Sequence, residues 1–204
     1  MNSFDSKAQQ WDSNPIHWQR SEAIAAVIKQ KLNIQHDFTA LEYGAGTGIL
    51  SFMLKDCFKE LYLMDSSREM IKVIEQKVEA SQATNIFPLF WNLETEKYTQ
   101  NTFDIVFNQM VLHHVPDIDA ILSQFYLLIN KNGYLAIADL YPEDGSFHGE
   151  GFDGHLGFDP EQLRIKIANA GFKNIEYQQC FVINKKTETL ETKPYPVFLI
   201  TASK

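Results

Sequence analysis

The chain has 204 residues, of which 45% are hydrophobic and 13% aromatic, so a disordered protein is excluded. Its 18 basic and 26 acidic residues give a formal net charge of −8, which argues against non-specific binding to nucleic-acid phosphate backbones. No apolar run reaches the ~18 residues of a membrane span, and the polar N-terminus lacks the apolar stretch of a signal peptide. We therefore expect a cytoplasmic protein with neither a nucleic acid nor a membrane as partner.

Short apolar runs alternate with amphipathic stretches along the chain, which is typical of βαβ units. Residues 4–18 carry aromatic side chains among polar ones and are expected to form a loose arm or a short helix. Helical spacing predicts helices over residues 21–32, 49–54, 67–80, 117–128 and 159–170. Short apolar runs predict strands over residues 38–43, 61–64, 85–90, 103–108, 133–139, 175–181 and 195–202.

Two long connections stand out. Residues 141–157 form a loop, and loops of this length in compact domains are usually functional or mobile. The polar segment 185–194 joins the last two strands without a helix, which predicts an antiparallel hairpin on an otherwise parallel sheet. The two cysteines, Cys57 and Cys180, are too few and too far apart for a disulfide framework or a four-cysteine zinc site.

The sequence LEYGAGTGILSF, residues 41–52, reads as strand, glycine-rich turn and helix. Its glycines allow a sharp turn and close approach of a ligand, and the helix start offers free N–H groups. Asp65 ends the next strand, where a carboxylate can accept both hydroxyls of a ribose. The spacing GxGxG is one residue short of the dinucleotide pattern GxGxxG. Glu42 suits a ligand with an ammonium group, such as S-adenosylmethionine, better than one with a pyrophosphate.

Over residues ~38–140 the chain resembles the class I S-adenosylmethionine-dependent methyltransferases of the small-molecule type, a group that includes enzymes of the ubiquinone and menaquinone pathways. The motifs that carry this resemblance are LEYGAGTG, LYLMDSSREMI, FDIVFNQMVLHHVPD and NGYLAIADL. The resemblance implies an α/β, Rossmann-like fold with helices on both faces of a seven-stranded, mainly parallel sheet. The implied strand order is 3-2-1-4-5-7-6, with an antiparallel last strand. We expect one methyltransferase domain over residues 1–204, with residues 1–20 as an arm or cap, acting as a monomer or homodimer.

The resemblance also implies a cofactor site for S-adenosylmethionine, which leaves as S-adenosylhomocysteine. The glycine loop and Glu42 would line its methionine, and Asp65 would hold its ribose. At the adenine, Asn92 stands where the family has an acidic residue, and its carbonyl can still accept a bond from the amino group. Asn108 would face the methionine. The full expected set is Glu42, Gly44, Ala45, Gly46, Gly48, Asp65, Ser66, Met70, Asn92, Leu93, Asn108 and Gln109.

The expected reaction is transfer of the methyl group to a small-molecule acceptor by in-line displacement, which needs alignment and, for protonated acceptors, a base. Four histidines are candidates. His148 and His155 lie among carboxylates and aromatics in the 141–157 loop, whose glycines permit hinge motion, and we expect one of them to take the proton. His113 and His114, in LHHVPD, come next, although this motif of the family often has a structural role.

Aromatic residues are the candidates for acceptor contacts. Trp11 and Trp18 would form a lid over the pocket or pack against the sheet edge, while Tyr141 and Phe147 come from the 141–157 loop. No metal-ligand spacing is recognisable, so no metal site is expected.

Two other functions stay open, namely a non-catalytic S-adenosylmethionine-binding partner protein and a nicotinamide-dependent oxidoreductase, which the glycine spacing disfavours. The fourth strand ends in NQMV rather than Asn-Pro-Pro-Tyr, which weakens N-methylation of nucleic acids and leaves O, N, S and C acceptors open.

Overall fold

The computed structural model describes residues 4–186 and 191–204. Within these residues, seven strands form one sheet. They are β1 (Thr39–Tyr43), β2 (Glu60–Asp65), β3 (Ile86–Phe90), β4 (Phe103–Gln109), β5 (Ile129–Leu140), β6 (Lys173–Lys186) and β7 (Thr192–Ser203). The α-helices are α1 (Pro15–Lys31), α2 (Ile49–Leu54), α3 (Arg68–Ser81), α4 (Ile118–Leu128) and α5 (Pro160–Asn169). Short 3₁₀ helices cover Asp5–Ser13, Lys55–Cys57 and Leu112–His114.

The strand order is β3-β2-β1-β4-β5-β7-β6, as predicted. The first five strands pair in parallel, whereas β7 is antiparallel to both β5 and β6. One buried cluster packs α1, α2 and α3 against one face of the sheet, and a second packs α4 and α5 against the other. The predicted Rossmann-like class, with helices on both faces, is confirmed.

The element boundaries differ most from the predictions at α1, at β5, which begins at Ile129 instead of residue 133, and at β6 and β7. Helix α1 begins at Pro15, six residues before the predicted start, because the Asn14 side chain accepts the backbone N–H of Ile16 and caps the helix. Residues 4–13 are mostly a short 3₁₀ helix, one of the two expected forms. Strands β6 and β7 are longer than predicted, because their far ends are polar and lack apolar alternation. Of the predicted connection between them, residues 187–190 lie outside the described residues.

The sheet brings the chemically informative segments to one edge. The glycine loop (residues 44–48) follows β1, Asp65 ends β2, and the 3₁₀ helix Leu112–His114 follows β4. The 141–157 loop follows β5 at the same edge. The carboxyl edge of a parallel sheet is where open α/β folds bind ligands. Over the described part of the chain, no helix combines the length and apolar character that crossing a membrane requires.

Candidate active site

A cavity of about 680 Å³ lies at this edge of the sheet. Its volume is in the range of cofactor and small-molecule sites. Eleven of the predicted site residues line it, namely Trp11, Gly44, Gly46, Asp65, Ser66, Met70, Asn92, His113, His114, Phe147 and His148. One cavity therefore joins six of the twelve predicted cofactor residues to three of the four candidate histidines.

Asp65 lines this cavity and is held in a fixed orientation. Its two carboxylate oxygens accept backbone N–H groups of Gly46 and Ser67, each at 2.8 Å. Burial raises the pKa of Asp65 to about 6, and these donors oppose the rise. The carboxylate is therefore mostly ionised at neutral pH, in a fixed orientation and with lone pairs left for ligand hydroxyls.

The glycine loop leaves room for a ligand at Gly46. Gly44 and Gly46 have φ values of +64° and +57°, which favour glycine. A Cβ atom at Gly44 would lie 2.5 Å from a side-chain carbon of Val111, so only glycine packs there. At Gly46 a Cβ would meet only the indole nitrogen of Trp11, at 3.8 Å. The backbone of Gly46 therefore borders open space beside Asp65.

Glu42 is fully buried behind the glycine loop rather than in the cavity lining. One of its oxygens accepts a hydrogen bond from Ser51 Oγ, and the other has no partner among the described residues. Burial raises the pKa of Glu42 to about 8, and the Ser51 bond opposes this. The Glu42 carboxyl is thus mostly neutral at pH 7.

We expect Glu42→Gln to remove a pH dependence of stability. The Glu42 pKa is about 8 in the folded chain against an ordinary value of 4.5, so its contribution to folding is complete below 4.5 and is lost as pH rises through 8. From pH ~5 to ~8 the free energy of unfolding of the variant minus that of the parent should rise by about 2–4 kcal/mol. Urea unfolding across this range measures the gain. The exposed Glu79→Gln is the control, and parallel curves for parent and Glu42→Gln would contradict the expectation.

The N-terminal segment, residues 4–20, lies against the glycine loop and α3, beside Asp65. Its Asp12 accepts a hydrogen bond from Thr47 Oγ1 at 2.5 Å and pairs with Lys77 of α3. Its Asp5 accepts a bond from Ser67 Oγ at 2.6 Å. Trp11 lines the cavity, but Trp18 is 40% exposed and donates to the backbone oxygen of Asp12, outside the lining.

His113, His114 and His148, termed here the histidine cluster, also line the cavity and lie next to one another. The ring centroid of His113 lies 4.2 Å from that of His114 and 5.0 Å from that of His148. Burial, with the neighbouring His113, lowers the pKa of His114 to about 3 and that of His148 to about 4. Both rings are therefore neutral at physiological pH.

Asp139 holds His113 in place. Its carboxylate lies 2.6 Å from His113 Nδ1 and also accepts the backbone N–H groups of His113 and Leu140. Asp139 is fully buried, and the His113 ring is 1% exposed. A carboxylate at Nδ1 makes that nitrogen the donor and leaves Nε2 to act as acceptor or ligand.

The 141–157 loop supplies one wall of the cavity. The rings of His148 and Phe152 stack with centroids 3.8 Å apart, and Phe147 adds an apolar surface. His155 lies outside the lining, with its Nε2 3.0 Å from the backbone oxygen of Val115. Tyr141 is also outside and packs edge-on against Phe198. Of the two histidines expected from this loop, the structure brings only His148 to the cavity.

Five further predicted cofactor residues lie outside the lining, namely Ala45, Gly48, Leu93, Asn108 and Gln109. Gly48 caps α2, and Leu93 belongs to the buried core. Gln109 bonds the hydroxyl of Ser21 at 3.0 Å, while both amide atoms of the buried Asn108 have no hydrogen-bond partner among the described residues.

Arg20 lines the cavity although sequence reasoning missed it. Its side chain is 6% exposed, and its Nε has no hydrogen-bond partner in the described part of the chain. Burial lowers the pKa of Arg20 to about 10, opposed by the nearby charge of Asp139. Arg20 stands four and eight residues before Ile24 and Ile28, so helical spacing places this charge on the buried face of α1.

Comparison with known proteins gives consistent results. The sequence profile of the family described as "Methyltransferase domain" matches residues 41–135. An uncharacterised methyltransferase of Schizosaccharomyces pombe is 26% identical over 152 residues, 67% of this chain and 54% of that protein. A demethylmenaquinone methyltransferase of a Geobacillus species is 30% identical over 107 residues, 51% of this chain and 46% of that protein. The chain thus spans about half the length of these curated relatives.

Among solved structures, a SAM-dependent methyltransferase from Aquifex aeolicus superposes with a TM-score of 0.69 at 20% identity, covering 98% of this chain and 97% of that one. At this level of identity the likeness concerns the fold.

Proposed function

We propose that this chain, whose residues 41–135 match the methyltransferase-domain family, is a class I S-adenosylmethionine-dependent methyltransferase that transfers the methyl group of that cofactor to a small-molecule acceptor. The observation that carries the proposal is the single cavity that runs from Asp65 to the histidine cluster. It offers a cofactor end and, beside it, space lined by neutral imidazoles and by aromatic side chains. The acceptor would lie at this second end.

The residues of the cofactor end match the chemistry of S-adenosylmethionine. The Asp65 carboxylate suits the ribose hydroxyls, and the open backbone at Gly46 accepts a ligand at close range. Arg20 is buried with its Nε unpartnered among the described residues, and an anionic partner at that nitrogen would lower the cost of removing the charge from water. The carboxylate of the cofactor's methionine is such a partner.

We expect Arg20→Met to weaken S-adenosylmethionine binding by roughly 10-fold or more, because a charge-assisted hydrogen bond contributes about 1.5–3 kcal/mol. Isothermal titration calorimetry measures this, with S-adenosylhomocysteine as a second ligand that keeps the carboxylate. Arg164→Met, on the exposed side of α5, is the matched control. If the Arg20 variant binds both ligands as the parent does, Arg20 has another partner.

The bound cofactor supplies an electrophilic methyl group on a sulfonium. With the cofactor bound, the acceptor atom would form the new bond to this carbon while the carbon–sulfur bond breaks and its electron pair stays on sulfur. The proton of a hydroxyl, thiol or ammonium acceptor passes to a histidine nitrogen of the cluster, where His113 is oriented by Asp139. Residues 4–20 and 141–157 act as covers that exclude water.

Two observations favour a small molecule over a nucleic acid. The cavity is lined by residues of the N-terminal segment and by Phe147, His148 and Phe152 of the loop, and its volume of about 680 Å³ is that of a small-molecule site. The net charge of −8 offers little attraction to phosphates. The relatives named demethylmenaquinone methyltransferases, whose name denotes a small-molecule substrate, agree with this choice.

The test is an acceptor panel in which release of S-adenosylhomocysteine is measured. The panel holds hydroxyl, thiol, amine and activated-carbon acceptors, with transfer RNA and a protein mixture as separate arms. Turnover on a small molecule is the expected result. Turnover confined to RNA or protein would overturn the small-molecule assignment, and tight cofactor binding without turnover on any arm would favour the non-catalytic alternative.

A further inference from the structure

The histidine cluster has a geometry that its role as a base does not require. His113, His114 and His148 each present one ring nitrogen, and these three atoms lie within 4.8 Å of one another. We propose that the cluster binds a divalent transition metal of the zinc type, with an open coordination position toward the acceptor. No ligand spacing in the sequence indicates such a site, because two ligands follow β4 and the third comes from the 141–157 loop.

The donor set selects the class of metal. Three imidazoles suit zinc, cobalt, nickel or copper, whereas magnesium and calcium prefer oxygen ligands. Three protein ligands and one open position are typical of catalytic zinc sites. Zinc–nitrogen bonds of ~2.0–2.1 Å place the three nitrogens roughly 3.4 Å apart, so the cluster must contract by about 1 Å or more. His148 lies on a loop without regular structure, which can follow such a movement.

Asp139 supplies the second element of a metal site. Histidine ligands commonly donate their other ring nitrogen to a carboxylate, which fixes the ring and strengthens the ligand. Here Asp139 lies 2.6 Å from His113 Nδ1 and is itself fixed by two backbone N–H groups. This arrangement orients His113 Nε2 as the ligand atom.

His148 provides an independent observation. Its Nε2 is buried and has no hydrogen-bond partner within residues 4–186 and 191–204. A buried polar atom without a partner is costly, and most such atoms in folded proteins are satisfied by protein, water or an ion. A metal shared with the other two histidines would satisfy it.

The role of the metal, unlike its binding, rests on the proposed function. An acceptor hydroxyl or thiol placed at the open position would lose its proton more easily, because a bound cation lowers the pKa of its ligand. The acceptor class is then one whose oxygen or sulfur coordinates zinc beside the cofactor methyl group.

The experiment measures metal without any acceptor. The full chain, prepared without a polyhistidine tag, is stripped with a chelator and titrated with Zn²⁺ by calorimetry and with Co²⁺ by visible absorption. We expect one metal per chain and a cobalt spectrum typical of nitrogen ligands in low coordination. His148→Ala and His114→Ala should each weaken Zn²⁺ binding by about 100-fold or more, a loss at least as large as that from removing an outer-shell partner.

His36→Ala is the matched control, because His36 is exposed and lies outside the cavity lining. The Zn²⁺ affinity of this variant should equal that of the parent. A parent that takes up no stoichiometric zinc, or a His148→Ala variant that binds it equally well, would overturn the proposal. Circular dichroism shows whether each variant is folded, and His148→Gln replaces the alanine variant if that one is not. Metal binding without turnover in the acceptor panel would support the metal site and refute the proposed reaction. Turnover without metal binding would support the proposed reaction and refute the metal site.

Discussion

Asp65→Ala is expected to weaken binding of S-adenosylmethionine by roughly 10²–10⁴-fold. The ionised carboxylate can accept both ribose hydroxyls, and each hydrogen bond to a charged group contributes about 1.5–3 kcal/mol. The alanine variant also leaves the N–H groups of Gly46 and Ser67 without their acceptor, so the glycine loop loses a support. Both losses act in the same direction.

Calorimetric titration of parent and variant tests this expectation. Asp65→Asn keeps the shape but not the charge, so its affinity should fall between the two. Asp56→Ala, an exposed carboxylate on the 3₁₀ helix before β2, controls for the change in net charge and should bind like the parent. If Asp65→Ala retains the parent affinity while folded, the ribose does not lie at Asp65.

The fold and the position of Asp65 beside the glycine loop follow from local sequence patterns. Residues 41–52 contain a strand, three glycines and a helix start in one stretch, and Asp65 closes the strand that pairs beside it. Parallel pairing of these strands then places their carboxyl ends, and the residues that follow them, at the same edge of the sheet. The predicted order of the sheet is confirmed for this reason.

The acceptor end depends on packing between distant segments, so the sequence indicates it poorly. His148 and His155 are equivalent by composition, and only the path of the loop separates them. The backbone N–H of His155 donates to the backbone oxygen of His113, and the His155 ring contacts the backbone oxygen of Val115. The His148 ring instead stacks on Phe152 in the cavity lining. Nothing in the local pattern fixes this choice.

Arg20 and Glu42 illustrate two further limits. The signal for Arg20 was available, since a single charge on an apolar helical face is unusual, but the first helix was predicted to begin after it. Glu42 was expected beside the ligand because of its position before the glycines. The alternation of β1 instead turns its side chain toward Ser51 of α2, and the carboxyl is buried.

His148→Ala should lower the turnover number for a true acceptor by roughly 10²–10⁴-fold, the usual contribution of acid–base catalysis. Its ring packs against His113, Phe147 and Phe152 rather than against Asp65 or the glycine loop, so the dissociation constant for S-adenosylmethionine should barely change. The expectation is the same whether His148 accepts the acceptor's proton itself or holds the metal that releases it. The zinc titration separates these two roles.

The matched variant is His155→Ala, which removes a histidine from the same loop but outside the cavity lining. Steady-state rates at saturating cofactor, with cofactor affinity measured separately, distinguish a loss at the acceptor end from a loss of binding. A fall in turnover for His148→Ala and not for His155→Ala is the result that the geometry requires. The opposite order would mean that the 141–157 loop takes another path when the acceptor is bound. If neither variant loses activity, an acceptor that is already ionised, such as a thiolate, needs neither a base nor a metal at this position.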